Sequence, residues 1–546
     1  MTLSPAQQAA VDANDSRILC LAAPGSGKTR VMVERCARLL RQGFHPKEIL
    51  VLTFTRKAAG ELADRVRAMG LRPPRIYTFH GWAATLLREF HDVLGWAYNF
   101  SIYDDQDVDD LIPYSGEELG LTKKWKSAKR LWKEEAVKTS VRRLLREANA
   151  TDYDGLEIFL QILLLKRPDI SSRYTHVLVD EGQDTSDIQQ SILKALDPKN
   201  LFVVGDPGQS IYGFRGANLK GFTDWGKDYK ILTLPTNYRS SPEIVAIAGR
   251  MGGAMEPAGL EQVAAESAPA GDVGWFQVVE DEATSTLIDE IRAAAVEGET
   301  QAVLCPTWKP LEALIPLLDA AGIVYHLARP VPKIWDSMEM RTLVAALRVA
   351  HNPHDHLSLK TVLNATKSPT AAQWAEARAL AMAEGIPMQR AAARVAGIMH
   401  FHPGADATSL TMVQVCARME TILEAHWVDM HLQSRVKALE KCVDEILATR
   451  LELEEFLVWY GSRQVQGIGE EKKPEGLILS SIHASKGLEW DQVWILRCDR
   501  MTEWVGSDDG ERLRLLYVAA TRARRRLRFV GWDESSMFIN RFLEAM

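Results

Sequence analysis

The sequence predicts an α/β fold with two parallel-sheet domains, each interrupted once by a mainly helical insertion. Three observations lead there. Short apolar runs rich in β-branched residues recur along the chain and stop at glycine-rich or polar loops, as buried parallel strands do. Segments with helical spacing separate the runs, as crossovers between parallel strands require. The rhythm lapses twice, once in a stretch rich in Lys, Arg, Glu and Trp and once in a stretch rich in Ala, Leu and Met.

In chain order, the first domain draws its strands from RILCLAA (17–23), EILVLTFT (48–55), THVLVDE (175–181), LFVVGDP (201–207) and KILTLPT (230–236). It occupies 1–82 and 151–235, around an insertion at 83–150 that contains TKKWKSAKRLWKEEAVKTSVRRLLREA. The second domain draws on GWFQVVE (274–280), AVLCPT (302–307), LILSSIH (477–483), QVWILRC (492–498) and RLRFVGW (526–532). It occupies 236–330 and 472–546, around an insertion at 331–471. At roughly 100–200 residues per domain, a chain of 546 residues holds three to five such pieces. Ligands of open parallel sheets bind beyond the carboxyl ends of the strands, so the loops after these runs are where chemistry is expected.

The net charge of -7 argues against a basic nucleic-acid coat protein but leaves room for a local basic groove. The cysteines, Cys20, Cys36, Cys305, Cys416, Cys442 and Cys498, form no CxxC pair. Neither an iron–sulfur cluster nor a zinc site is expected, and scattered thiols suit a cytoplasmic protein. The opening MTLSPAQQAAVDAND has no basic segment followed by an apolar core, and no run of 18 apolar residues occurs. Neither a secretory signal nor a membrane partner is therefore expected. The residues from Ala523 to Met546 are too few for a fused nuclease.

The first strand ends in Ala22-Ala23-Pro24-Gly25-Ser26-Gly27-Lys28-Thr29, followed by Arg30. This fits a P-loop: glycines let backbone N–H groups wrap phosphate oxygens, Lys28 reaches the β- and γ-phosphates, and Thr29 ligates Mg²⁺. A helix starting here adds its positive end. The strand VLVDE supplies the second half of a nucleotide site, with Asp180 to hold Mg²⁺ and Glu181 to polarise the attacking water. In VGDPGQSIYGFRGA (204–217), Gln209 is placed to sense the γ-phosphate. Tyr212 and Phe214, beside Arg215, offer flat faces for single-stranded bases. Arg239 in NYRSS and Arg522 in RLLYVAATRARRR are candidates to stabilise charge developing in phosphoryl transfer. The other members of that basic run, Arg524, Arg525, Arg526 and Arg528, read as a solvated surface, and the Lys/Trp-rich 123–133 segment reads equally as a DNA contact or a solvated helix.

Taken in order, these motifs resemble the UvrD/Rep-type superfamily 1A helicases, from near Leu3 to the C-terminus. LSPAQQAAV resembles that family's adenine-reading motif, and TFTRKAAGELADRV (53–66) and TFHG (78–81) resemble its early DNA-contacting motifs. LVDEGQDTS, VGDPGQSIYGFRGA, NYRSS, SIHASKGLEW (481–490) and ERLRLLYVAATRA follow in family order. The resemblance implies two RecA-like P-loop NTPase domains, 1A and 2A, with insertions 1B and a reduced 2B. It implies that Gln7 reads adenine, Tyr238 stacks on it, Gly487 approaches the phosphates and Glu489 the ribose. It implies a single-strand path lined by Thr53, Phe54, Thr55, His80, Tyr212, Phe214, Arg215 and His483. It implies Mg-ATP-driven 3′-to-5′ movement on single-stranded DNA and at junctions with duplex, alongside replication, repair, recombination or defence proteins. A translocase that strips proteins with little unwinding, or a nucleotide-gated DNA sensor, is the alternative. The chain departs from the family pattern at Arg56, Gly182, Phe214, Pro306 and Trp308, and 331–471 matches only around LVAALRVAHNPHD (343–355).

Overall fold

The computed structural model describes residues 2–119, 131–278, 283–296, 298–328, 333–366, 371–384, 386, 391, 411–429, 433–466, 476–503 and 509–532. Residues 123–130 of the Lys/Trp-rich segment and 279–280 of the GWFQVVE run lie outside the described residues. So do 472–475 and the tail beyond Trp532. The described strands are β1 (Arg17–Ala22), β2 (Ile49–Thr53), β3 (Arg75–Thr78), β4 (Ser101–Tyr103), β5 (Ala150–Asp152), β6 (His176–Val179), β7 (Asn200–Gly205) and β8 (Lys230–Leu234). They continue with β9 (Thr236–Asn237), β10 (Val263–Ala264), β11 (Asp272–Gln277), β12 (Gln301–Cys305), β13 (Tyr325–Ala328), β14 (Leu477–Ser481), β15 (Trp490–Ile495) and β16 (Ala523–Gly531).

Two six-stranded sheets are parallel throughout. The first runs β3-β2-β6-β7-β1-β8 and the second β11-β16-β15-β12-β14-β13. Every apolar run read as a strand lies in one of them. The strands left unread, β3 and β13, are four-residue edges with half-exposed patterns, so no continuous apolar signal marks them. Both sheets belong to one compact unit, made of Met1–Phe79, Arg167–Pro330 and Gln466–Met546. His80–Lys166 and Val331–Val465 form a second unit.

Local sequence explains how the first unit packs. On the first sheet, Ile18, Cys20, Val51, Leu178, Phe202 and Val204 are buried with Val31, Met32, Cys36 and Leu39 of the helix Lys28–Arg41 and with Leu62 and Val66 of the helix Arg56–Ala68. Each such aliphatic side chain, fully removed from water, contributes about 1.5–3 kcal/mol. The second sheet is covered on one face by the helices Pro242–Gly253 and Asp509–Ala520, whose Ile244, Ile247, Met251 and Leu516 pack with Leu304, Ile495 and Phe529. Its other face carries the helices Ala283–Ala293 and Trp308–Ala320, whose Leu287, Ile291, Leu311 and Leu314 pack with Val303, Leu479, Trp494 and Val530. With both faces of these strands buried, the loops at their carboxyl ends are held on a rigid frame.

The second unit is mainly helical, with one short pair, β4 and β5. Val108, Leu111 and Ile112 pack against Val137, Val141 and Leu144. Around them the LVAALRVAHNPHD stretch builds a buried polar network. Arg348 pairs with Asp107 at 2.6 Å. Tyr103 donates to Asp355 and lies 3.1 Å from Ser358 Oγ. Asn352 Nδ2 reaches the Ala148 and Asn149 carbonyls, both at 2.9 Å. Among the described residues no helix is long and apolar enough to cross a membrane.

Candidate functional site

The P-loop turn joins β1 to the helix Lys28–Arg41, with Gly25 and Gly27 at φ +68° and +86°. Ser26 Oγ donates to the Ala23 carbonyl at 2.6 Å and Lys28 Nζ to the Ala22 carbonyl at 3.3 Å. Pro24 is buried between them, and Thr29 and Arg30 follow, half-buried, in the first helical turn. A Cβ at Gly25 would stand 2.5 Å from Asn237 Oδ1 and 2.6 Å from Arg239 Cβ, so only glycine fits there. The Gly25 carbonyl accepts from the Tyr238 N–H at 2.9 Å, while the Tyr238 ring is largely exposed. Gln7 caps its own helix with Ser4 and donates from Nε2 to the Ser26 carbonyl at 2.8 Å. The carboxamide expected to read adenine is thus already engaged at both ends, bracing the P-loop.

At the end of β6, Asp180 and Glu181 lie side by side. The Asp180 N–H donates to the Leu52 carbonyl, and its carboxyl is pushed up to about 7, first by burial and then by Glu181. Glu181 has φ +51°, a left-handed conformation costly for a side chain without a local hydrogen-bonding habit. Burial would raise its pKa, but Lys486 and Lys28 overcome that and hold it below the usual glutamate range. Gln183 Nε2 donates to Glu181 Oε2 at 2.6 Å and to Asp184 Oδ2 at 3.2 Å, and its Oε1 accepts from the Asp206 N–H. Asp184 is pushed up by burial, with Lys486 pulling the other way. Gly182, one of the departures from the resembled pattern, is set by packing: a Cβ would lie 2.4 Å from Val203 Cγ1.

The bases follow β9 and precede β16. Arg239 donates from Nε to Glu489 and from Nη1 to the Thr521 carbonyl at 3.1 Å. Arg522 is fully buried, with Nε on the Val518 carbonyl at 2.9 Å and Nη1 on the Leu488 carbonyl at 3.2 Å. Burial, then the neighbouring Arg239, lowers its pKa to about 9. Glu489, expected at a ribose, accepts from both Arg239 and Arg524; against burial, these hold it down to about 2. Gly487 occupies the turn before it, at φ +84°. Gln209 is buried, and its Nε2 is a donor with no partner among the described residues. The rest of the basic run is not simply solvated, as expected, but paired: Arg524 with Glu489 and Asp491, Arg525 with Glu299, and Arg528 with Asp272, while Arg526 donates to the Ala294 carbonyl at 3.5 Å.

An aromatic cluster forms from loops of both sheets. Phe54 and Tyr212 stack with centroids 4.8 Å apart, Phe214 meets His483 edge-on at 5.3 Å, and Arg215 lies over both Tyr212 and Phe214. Phe214 is 59% exposed, the kind of surface on which a base stacks. Beside the cluster, Thr53 Oγ1 donates to the Thr55 carbonyl, and Thr55 caps the helix Arg56–Ala68. His80 belongs to the second unit, 3.2 Å from Glu157 and edge-on to Tyr153.

Sequence reasoning missed four buried residues here. Lys486 donates to Asp184 and to the Gln209 carbonyl, and Tyr517 donates to Asp206 at 3.4 Å. The lysine joins loops of the two sheets, and Tyr517 joins the helix Asp509–Ala520 to the loop after β7. The lysine in SIHASKGLEW, one residue before a glycine already singled out, was the available signal.

The chain is similar to known helicases along most of its length. Residues 3–132 and 117–230 match the UvrD/REP helicase N-terminal domain, and 476–530 match the UvrD-like helicase C-terminal domain. The chain is 33% identical over 418 residues to the ATP-dependent DNA helicase UvrD1 of Mycobacterium tuberculosis, covering 66% of this chain and 54% of that relative. The match thus spans about half the relative's length. It is 29% identical over 640 residues to UvrD1 of Mycobacterium leprae, covering 96% and 82%, and 27% identical over 600 residues to the ATP-dependent DNA helicase PcrA of Staphylococcus aureus, covering 95% and 81%.

Proposed function

The chain belongs to the UvrD/REP helicase family, and on that footing we propose that it is an ATP-dependent DNA helicase moving 3′ to 5′ along single-stranded DNA in the cytoplasm. One observation carries the reading: a P-loop with paired carboxylates on the first sheet, and two arginines beside the helices Pro242–Gly253 and Asp509–Ala520 that cover the second, meet in one compact unit, beside aromatic rings drawn from loops of both sheets. In this reading the first sheet is domain 1A and the second 2A, with 1B at 83–150 and 2B at 331–471.

The residues fit Mg-ATP. Asp180 and Glu181 are crowded like charges, as are Arg239 and Arg522, so each pair gains from a ligand of opposite sign. Gln209 keeps a buried donor unspent, and the left-handed Gly25 and Gly27 give the loop the turn in which successive backbone N–H groups face an anion. Thr29 and Asp180 would hold Mg²⁺ together with phosphate oxygens, and the ion neutralises charge on the transferring group. Lys28 and the arginines orient the triphosphate, while Glu181, kept ionised, accepts the proton of the attacking water. Tyr238 offers a face for adenine. Bases stacking on Tyr212 and Phe214 give grip without sequence preference, about 1–3 kcal/mol each.

The test is ATP turnover with and without a single-stranded oligonucleotide, followed by unwinding of 3′- and 5′-tailed duplexes. Stimulated turnover with 3′-tailed unwinding is expected, and Lys28→Ala should abolish turnover while the protein stays folded. Stimulation without unwinding would favour the stripping translocase. No stimulation would favour the DNA sensor, and turnover retained in Lys28→Ala would mean the nucleotide site is misplaced.

A further inference from the structure

We propose that Lys486 is a positioning residue that couples turnover at the carboxylate pair to occupancy of the aromatic cluster. The inference rests on the ATP- and DNA-binding reading above. Lys486 lies in the loop between β14 and β15, on the second sheet, yet its partners come from the first. Its ammonium has three donors and no acceptor. It donates to Asp184 Oδ2, in the loop after β6, and to the Gln209 carbonyl, in the loop after β7, at 2.9 Å. It also lies 5.1 Å from the centre of the Tyr212 ring. The side chain is nearly buried, at 9% exposure, and Asp184 is fully so. In so dry a place each of these contacts is strong, and losing one is felt by the others.

The contacts form an unbroken chain. Phe54 stacks on Tyr212, Tyr212 lies against Lys486, and Lys486 holds Asp184. Gln183 then joins Asp184 to Glu181 through one amide nitrogen. A base that reorients Tyr212 changes the balance of attraction on the ammonium, and through Asp184 and Gln183 the aim of the Glu181 carboxylate. Lys486 thus links the two places through Asp184 on one side and the Tyr212 ring on the other.

The experiment measures kcat and KM for ATP in the full chain, with and without a dT oligonucleotide, for Lys486→Met and Lys486→Arg. In Lys486→Met the ratio of DNA-stimulated to basal kcat should fall about 10-fold, within the usual span of coupling between sites, with KM for ATP moving less. Lys486→Arg, which keeps the charge, should restore most of the ratio. An equal fall in basal and stimulated kcat would reduce Lys486 to a local support and overturn the inference, and so would an unchanged ratio. If Lys486→Met loses its cooperative thermal transition, Lys486→Met with Asp184→Asn removes both buried charges and is read by the same ratio. Wild-type turnover indifferent to the oligonucleotide would defeat the underlying reading itself, and no variant is needed to see that.

Discussion

In the second unit, Asp107 and Arg348 are both buried and face each other. Burial pushes each towards its neutral form, but their mutual attraction wins, lowering the aspartate and raising the arginine. In the first unit, Asp180 and Arg522 are equally buried and shift the opposite way, the aspartate up and the arginine down. Desolvation has the same sign in both places. The difference is the neighbour: Asp107 has a cation, whereas Asp180 has Glu181 and Arg522 has Arg239. A closed pair of this kind is costly to break from one side, while crowded like charges gain from a ligand of opposite sign.

The contrast can be broken from either side. The largest expected effect is on Arg522. Arg522→Gln should lower ATP turnover by about 10³-fold or more, as loss of an arginine acting on transferring phosphate does, with little loss of thermal stability. Turnover close to wild type would make Arg522 as structural as Arg348. Next, Arg348→Met should cost about 2–3 kcal/mol in urea unfolding, because Asp107 loses its 2.6 Å partner and is left with the more distant Arg341 at 3.6 Å. Adding Asp107→Leu should recover most of that; a single variant as stable as wild type would erase the distinction. The smallest effect is on pH. Burial, then Arg88, holds His351 down to about 4. Its folded value lies below its unfolded one, so its contribution is full above about pH 6.5 and is lost as pH falls towards 4. Urea unfolding at pH 7 and pH 5 should differ by about 2 kcal/mol from this group, and His351→Gln should flatten the difference.

What could be read from the sequence was whatever is local in the chain. A P-loop, an acidic strand end and an arginine after a strand each fit within a dozen residues, and the ten strands read, the exposed edges β8 and β11 among them, carried apolar runs. The half-exposed edges β3 and β13 lacked such a run. Lys486 and Asp184 are 302 residues apart, so only folding shows that they meet. Likewise, nothing near Arg348 in the chain announces Asp107, and the buried network uniting 80–166 with 331–465 had no counterpart in the spacing of either stretch. Gln7 was singled out from its motif, but its hydrogen bond to Ser26 could not be seen there.

The missing methyl group at position 25 has a mechanical meaning. It lets the crest of the phosphate loop sit directly on the peptide that bears Arg239, joined by one hydrogen bond from Tyr238. The Asn237 side chain packs into the same contact, 2.5 Å from where a Cβ would stand. If a bound triphosphate reshapes the loop by even a fraction of an ångström, the guanidinium meant to meet it is carried along in the same motion.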